Sequence, residues 1–440
     1  MTSLLLLLAC SDGEPTPDPP TASTGDTAPT VVDGPCDPTG NPLRFTCAVP
    51  DGGTLRWWPE DDPTDVREAT GDVVTIYGLR PDVHTVLAYP DGSEGLQPPG
   101  ALPTTFDGIG SLVEGSGLGT WVLTTGPCNA RDLVVLDGQG RTRWYVEHER
   151  KVLGIDVTPQ GTVLAMLGGG LLVEYDATGK LIWEAQNDTG KPIHHDLARD
   201  AAGYTYTLAA TTYEVRDADY VVDQLLVFDP AGELVATWEL FDHLPDIYEP
   251  TDNNGYWLLQ FPGAIDFTHG NSVEVSPDGS LVVSLRWLDA VLVIEGDPTS
   301  LAFGTPRWWL SADGSLPPEL TPGDDLVLAG EVYDGQHHAT VGADGLLRLF
   351  DNRQAPEDSR ALSYRIEGGI AEHQDTWALD KHCPIQGSAY PLDDGSMVLT
   401  CATSRRIERF SPSGRAEGSA DLSCTSGSGS AIARAIPIAW

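Results

Sequence analysis

The sequence predicts an all-β protein, a six-bladed β-propeller preceded by a small immunoglobulin- or fibronectin-III-like β-sandwich. Three observations carry that expectation. Gly and Pro supply 48 and 34 of the 440 residues, turn punctuation on a scale that long helices could not tolerate. Hydrophobic residues make up 40% of the chain, enough for sizeable cores. From about Phe106 onward, a strand-and-turn element recurs with insertions of variable length.

The chain begins with an apolar run, Leu4 to Ala9, that ends at Cys10. Leu7-Leu8-Ala9-Cys10 resembles a bacterial lipobox, which makes residues 1–10 a lipoprotein-type signal segment with Cys10 as the lipidated residue. No Lys or Arg precedes the run and it is short, so the expected true start lies upstream of Met1. Residues 11–35, rich in Thr, Pro and Asp, have almost no large side chains to bury and form a flexible tether. Residues 36–105 alternate short strands (LRFTCAV, TLRWW, VVTIYGL, HTVLAYP) with turns. Ile76-Tyr-Gly-Leu-Arg-Pro-Asp82 before His84 looks like the turn into a late strand of a fibronectin type III or related sandwich.

Residues 106–440 carry the repeats. One is Asp-x-x-Gly followed by Trp: Asp137/Gly140/Trp144, Asp176/Gly179/Trp183 and Asp229/Gly232/Trp238, each after an alternating apolar strand. The other is a turn ending in Gly161, Gly203, Gly279, Gly345 or Gly395 and feeding a strand. With an opening unit near Trp121–Val135, the array reads as six propeller blades. A parallel β-helix would have shorter, tighter repeats.

The balance of 65 acidic against 25 basic residues leaves a formal charge of −40. That excludes non-specific binding to nucleic acid or to anionic lipid headgroups. No stretch of 18 apolar residues could span a bilayer, so contact with a membrane is expected only through the lipid anchor. Beyond Cys10, six cysteines remain for pairing in an oxidising envelope. Cys36 with Cys47 would close a short loop, and the other pairings stay open.

Five of the ten histidines fall in three short strings. Eight residues before the turn glycines stand His195, Asn271 and His337, with His194, His269 and His338 as neighbours. If that slot lies at the channel end of each inner strand, these side chains converge on the propeller axis. A lone His is more often a satisfied polar residue, but three blades sharing one placement point to a site. No metal is expected, because Arg286 shares the neighbourhood and a guanidinium would repel a cation. Arg with several His and an Asn is an anion-binding set.

The strings Pro192-Ile-His-His-Asp196, Phe267-Thr-His-Gly-Asn271 with Leu281–Arg286, and Gly335-Gln-His337 with Leu349–Asn352 resemble the bacterial arylsulfate sulfotransferase family. The similarity runs from roughly Phe106 to Cys424. It implies a six-bladed propeller with a small N-terminal β-sandwich. It also implies transfer of a sulfuryl group from an aryl sulfate to a phenol without a nucleotide or other cofactor. The family's transient sulfohistidine falls on His337, its sulfate-holding residues on His269, Asn271 and Arg286, and its other channel histidine on His195. The adjacent His194 and His338 compete for two of these places as substrate-binding residues. Tyr213, Tyr333 and Trp377 are candidates to stack on aryl rings, with packing between blades as the favoured reading. Two other functions stand against this one. One is a non-catalytic envelope propeller that binds a glycan or protein partner. The other is a quinone-dependent dehydrogenase, which expects eight Trp-bearing blades. A homodimer is left open, and the expected location is the bacterial cell envelope, lipid-anchored in the periplasm or at the outer membrane.

Overall fold

The computed structural model describes residues 34–107, 109–244, 248, 255–312, 324–425 and 429–440. Cys10, its apolar run and the tether as far as residue 33 lie outside the described residues. The chain is mostly β, built from many small antiparallel sheets. The described α-helix is the single turn Thr104–Asp107. Among the described residues no helix is long and apolar enough to cross a membrane.

Two small sheets come first. Asp37–Pro38, Phe45–Ala48 and Val73–Ile76 form one; Arg67–Thr70, Thr54–Pro59, Thr85–Ala88 and Glu94–Gln97 form the other. They enclose one core of Phe45, Leu55, Trp57, Val74, Ile76 and Leu87 around the Cys36–Cys47 disulfide. Arg143, buried in the next sheet, ties this unit down. Its Nη2 lies 2.7 Å from Asp65, and its Nε donates to the Gly78 carbonyl at 2.9 Å.

Six four-stranded antiparallel sheets follow, two of them joined along their outer strands, Pro306–Ser311 and Ile370–Ala378, by the parallel strand Asp324–Ala329. Five of them start on an inner strand: Val152–Val157, Ile193–Arg199, Gly270–Val275, His337–Val341 and Ser388–Pro391. The remaining sheet takes its inner strand, Ala435–Ile438, from the far end of the chain. It pairs with Trp121–Thr125, and Leu133–Leu136 and Thr142–Val146 complete the sheet. The reverse exchange also occurs, since the early strand Ile109–Gly115 adds to Ala416–Cys424 of the last sheet. An apolar cluster fills each junction between neighbouring sheets, including the one that joins last to first. The six sheets therefore close a ring.

Both sequence repeats are turns with a physical cause. The Asp-x-x-Gly turns join the third and fourth strands. The Asp137 carboxylate accepts the Arg141 N–H at 3.0 Å, Asp176 does the same for Lys180 at 3.0 Å and Asp229 for Glu233 at 2.9 Å. The closing glycines Gly140, Gly179 and Gly232 have φ of 70°, 75° and 87°, a region that glycine enters without a Cβ clash. The following Trp144 and Trp238 are buried on the outer strands.

Three disulfides join Cys36–Cys47, Cys128–Cys424 and Cys383–Cys401. Bonds of this kind persist in oxidising, extracytoplasmic surroundings. Cys128–Cys424 links residues 296 apart in sequence and bridges the first and last sheets. Replacing both of these cysteines with Ala should lower stability by about 2–5 kcal/mol through the longer closed loop released. Urea unfolding would register this as a lower midpoint, and an unchanged midpoint would show that strand exchange alone holds the ring shut.

Candidate active site at the head of the inner strands

Each of four consecutive inner strands carries an irregularity near its beginning. Register shifts fall between Val152 and Gly154, Ile193 and Leu197, Gly270 and Ser272, and His337 and Thr340. His195, His269 and His338 adopt left-handed φ of 57°, 49° and 50°, uncommon for residues with a Cβ. Bulges of this kind re-aim side chains. Here they turn His195, His269 and His337 toward one another and toward Arg286.

His195 and His269 have ring centroids 5.0 Å apart. His269 Nδ1 lies 2.6 Å from Asp266 Oδ2, which also accepts the Trp287 indole N–H at 3.0 Å. His337 Nδ1 lies 2.6 Å from Asn352 Oδ1. The Asn352 amide nitrogen donates to the carbonyls of Cys383 and Gln386 at 2.6 and 2.9 Å. Its oxygen must then accept, so His337 carries its proton on Nδ1 and presents a bare Nε2. That Nε2 accepts the Gln386 N–H at 3.2 Å.

Burial, with the Arg286 charge and His269 adding to it, pushes the His337 imidazole well below its ordinary range, although the Asn352 bond opposes this. Burial, then His269, His194, His337 and Arg286, does the same for His195. Both rings are neutral near pH 7, the form in which an imidazole can attack or accept a proton. Arg286 is itself lowered by burial against the pull of Asp289, Asp266 and Asp334. Its Nη2 donates to the Pro384 carbonyl at 2.9 Å, while its buried Nε has no hydrogen-bond partner among the described residues. A guanidinium N–H left over beside three imidazoles suits an oxyanion.

The remaining sequence-derived candidates take other places. Asn271 spends its side chain on the backbone: Nδ2 donates to the Gln336 carbonyl at 2.7 Å, and Oδ1 accepts the His338 N–H at 3.3 Å. It joins two inner strands. His194 stands behind His195, with Nδ1 to Nδ1 at 2.7 Å. His338 turns away from the group. Its Nε2 lies 3.1 Å from Glu274, and its Nδ1 accepts the Ala389 N–H at 3.2 Å. Gln336 explains part of the Gly-Gln-His string, since its amide donates to the Ala290 carbonyl at 2.9 Å and pins this strand to its neighbour.

Below the histidines lies a second polar layer. Arg434 reaches Asp196 at 2.6 Å and Glu274 at 3.1 Å, and a cavity of about 480 Å³ at the far end of the inner strands is lined by Asp156 and Glu274. Burial, with Glu274 adding, raises Asp196 to about 7 against the pull of Arg434. Burial likewise raises Glu274 to about 7 against Arg434.

Tyr213, Tyr333 and Trp377 do not line the site. Tyr213 stacks on Phe241, the Tyr333 hydroxyl donates to the Leu310 carbonyl, and Trp377 lies in the core between the last two sheets. The aromatic walls are Tyr256, with its ring 4.8 and 5.0 Å from those of His195 and His269, and Trp287, 5.3 Å from His269. They are 39% and 40% exposed, open enough to meet a substrate. Neither had a signal in the repeat, because Tyr256 sits in an insertion and Trp287 follows a strand end. Among the described residues no group of His, Cys, Asp and Glu is arranged to hold a metal ion.

A model of the arylsulfotransferase (ASST) family matches residues 123–417, two thirds of the chain. The chain belongs to the arylsulfotransferase family. A search of curated proteins found no match. Among solved structures, a protein of unknown function from Bacteroides caccae is 10% identical, with 73% of this chain and 100% of that chain covered, at a TM-score of 0.47. Virginiamycin B lyase from Staphylococcus aureus is 11% identical, with 86% and 98% covered, at a TM-score of 0.37.

The lower layer yields a pH prediction. Folded Asp196 and Glu274 keep protons that the unfolded chain releases near pH 4, so stability falls as pH rises from about 4 to about 7 and levels off above. Glu274→Gln removes one of these sites. Measured by urea unfolding at pH 5, 6.5 and 8, the variant should gain on the wild type as pH rises. The gain should be at most about 1.4 kcal/mol per pH unit. A constant difference across the three pH values would rule this out.

Proposed function

We propose that this arylsulfotransferase-family protein transfers a sulfuryl group from an aryl sulfate ester to a phenol, with no nucleotide donor, through a sulfohistidine on His337. The supporting observation is the convergence of a neutral His337, with a bare Nε2, on His195, His269 and Arg286. In this reading the ring of sheets is a six-bladed β-propeller over residues 106–440, preceded by a β-sandwich over residues 36–105.

The chemistry balances in two steps. His337 Nε2 attacks sulfur, the S–O bond to the aryl group breaks, and the phenolate leaves with that electron pair. A phenol oxygen then attacks the same sulfur, and the N–S bond pair returns to Nε2. Arg286 Nε and the Gln386 N–H, released from Nε2, donate to the sulfuryl oxygens, where charge collects. His269, held by Asp266, faces the same oxygens. His195 receives the proton of the incoming phenol. Asn271 acts indirectly by holding the strand of His337. Tyr256 and Trp287 flank the aryl ring.

The disulfides and the Cys10 context support a lipid-anchored protein of the bacterial envelope. Detergent phase partitioning should move wild-type full-length protein, but not Cys10→Ser, into the detergent phase; equal aqueous behaviour removes the anchor.

Purified protein should release nitrophenol from p-nitrophenyl sulfate in proportion to added phenol. His337→Asn should abolish transfer, and His338→Asn, altered on the far side of the strand, should keep most of it. Arg286→Lys should lose roughly 10²-fold in kcat, the scale of one oxyanion donor. Release independent of phenol would make the protein a sulfatase, and full activity of His337→Asn would end the covalent mechanism.

A further inference from the structure

Behind His195 lies a continuous line of polar groups that the reaction as written does not use. His195 Nδ1 is 2.7 Å from His194 Nδ1, and His194 Nε2 is 2.9 Å from Asp223 Oδ1. Asp223 is buried on the third strand of the same sheet. Its other oxygen, Oδ2, accepts the Thr268 hydroxyl and, at 2.5 Å, the Gly270 N–H. The Asp223 carboxyl is pushed up by burial, but hydrogen bonds from His194, Thr268 and Gly270 more than offset this and hold it below its usual range. Trp257 closes over the His194 ring edge-on at 4.8 Å, which shields the line from water.

A carboxylate only accepts, so the His194 proton sits on Nε2 and its Nδ1 is a lone pair. That lone pair requires the proton of His195 on Nδ1. The His195 Nε2 is then bare, the form a base needs. We infer that Asp223 and His194 are positioning residues that fix His195 as a proton acceptor and then share the charge it takes up. The inference rests on the sulfuryl-transfer reading above.

The proton moves as follows when the phenol attacks sulfur. The phenol O–H bond breaks, and its proton goes to His195 Nε2. The His195 Nδ1 proton passes to His194 Nδ1. His194 becomes an imidazolium whose Nε2–H faces the Asp223 carboxylate, and His195 is again neutral beside Arg286. The cationic charge thus rests against a carboxylate, away from the sulfuryl group. In the reverse direction the same line returns a proton to a departing phenolate.

Asp223→Asn offers His194 a donor in place of an acceptor. It turns both rings over and puts a proton on His195 Nε2, the wrong tautomer for a base. The test separates the two half-reactions. Loading is followed as the nitrophenol burst from p-nitrophenyl sulfate alone, whose leaving group needs no acid. Transfer is followed with a series of phenols of rising pKa. Asp223→Asn should keep the burst rate within about threefold. It should lose roughly 10²-fold in kcat toward weakly acidic phenols, with KM little changed. The loss should shrink toward acidic phenols that arrive already ionised. His194→Gln, which leaves the Thr268 and Gly270 anchors of Asp223 in place, should show the same pattern, and it decides the matter if Asp223→Asn does not fold. Equal losses for all phenols and for the burst mean a structural role and overturn the inference, as does full activity of His194→Gln. Absence of any burst in the wild type would instead overturn the sulfuryl-transfer reading itself.

Discussion

Everything in this molecule depends on joining the two ends of a curved row of sheets. An open row would leave the apolar faces of its first and last sheets uncovered. The chain ties the two ends together by exchange, with Ala435–Ile438 completing the first sheet and Ile109–Gly115 extending the last, so that one apolar cluster covers both faces. Once the ring is closed, six inner strands stand side by side. Residues as distant in sequence as His195, His269 and His337 then meet without any local loop to bring them together.

Closure also sorts charge along the inner strands. The protein as a whole is strongly acidic, yet the upper layer combines imidazoles with one guanidinium, and the lower layer combines carboxylates with another. His337 and His338 are neighbours in sequence and belong one to each layer. The left-handed backbone at His338 lets consecutive side chains do so. Arg434 arrives with the closing strand and occupies the space between Asp196 and Glu274. The lower layer is therefore balanced only in the closed ring.

The turns and the placing of histidines at the heads of inner strands were legible in the sequence, because both follow from local chemistry. Asp and Gly at fixed offsets make a turn wherever they stand, and strand alternation needs no partner to be read. The partners of the histidines were not legible. Asp223 lies on another strand of the sheet that carries His194, Asn352 just past the strand paired with that of His337, and Asp266 three residues before His269, so strand pairing and a local bend bring them together. The eight-residue count also drifted. The inner-strand irregularities consume different numbers of residues, so the left-handed position falls on His195 and His338 but on His269 rather than Asn271.

The Cys383–Cys401 disulfide has a reach beyond its own sheet. The Cys383 carbonyl accepts from Asn352, and Asn352 decides which nitrogen of His337 carries the proton. The orientation of one imidazole is thereby moored to a bond that forms only where thiols are oxidised. The same polypeptide held in a reducing compartment would fold its sheets around a loosened ring. Compartment would then bear on which nitrogen of a buried imidazole is bare, and not only on whether the sheets hold together.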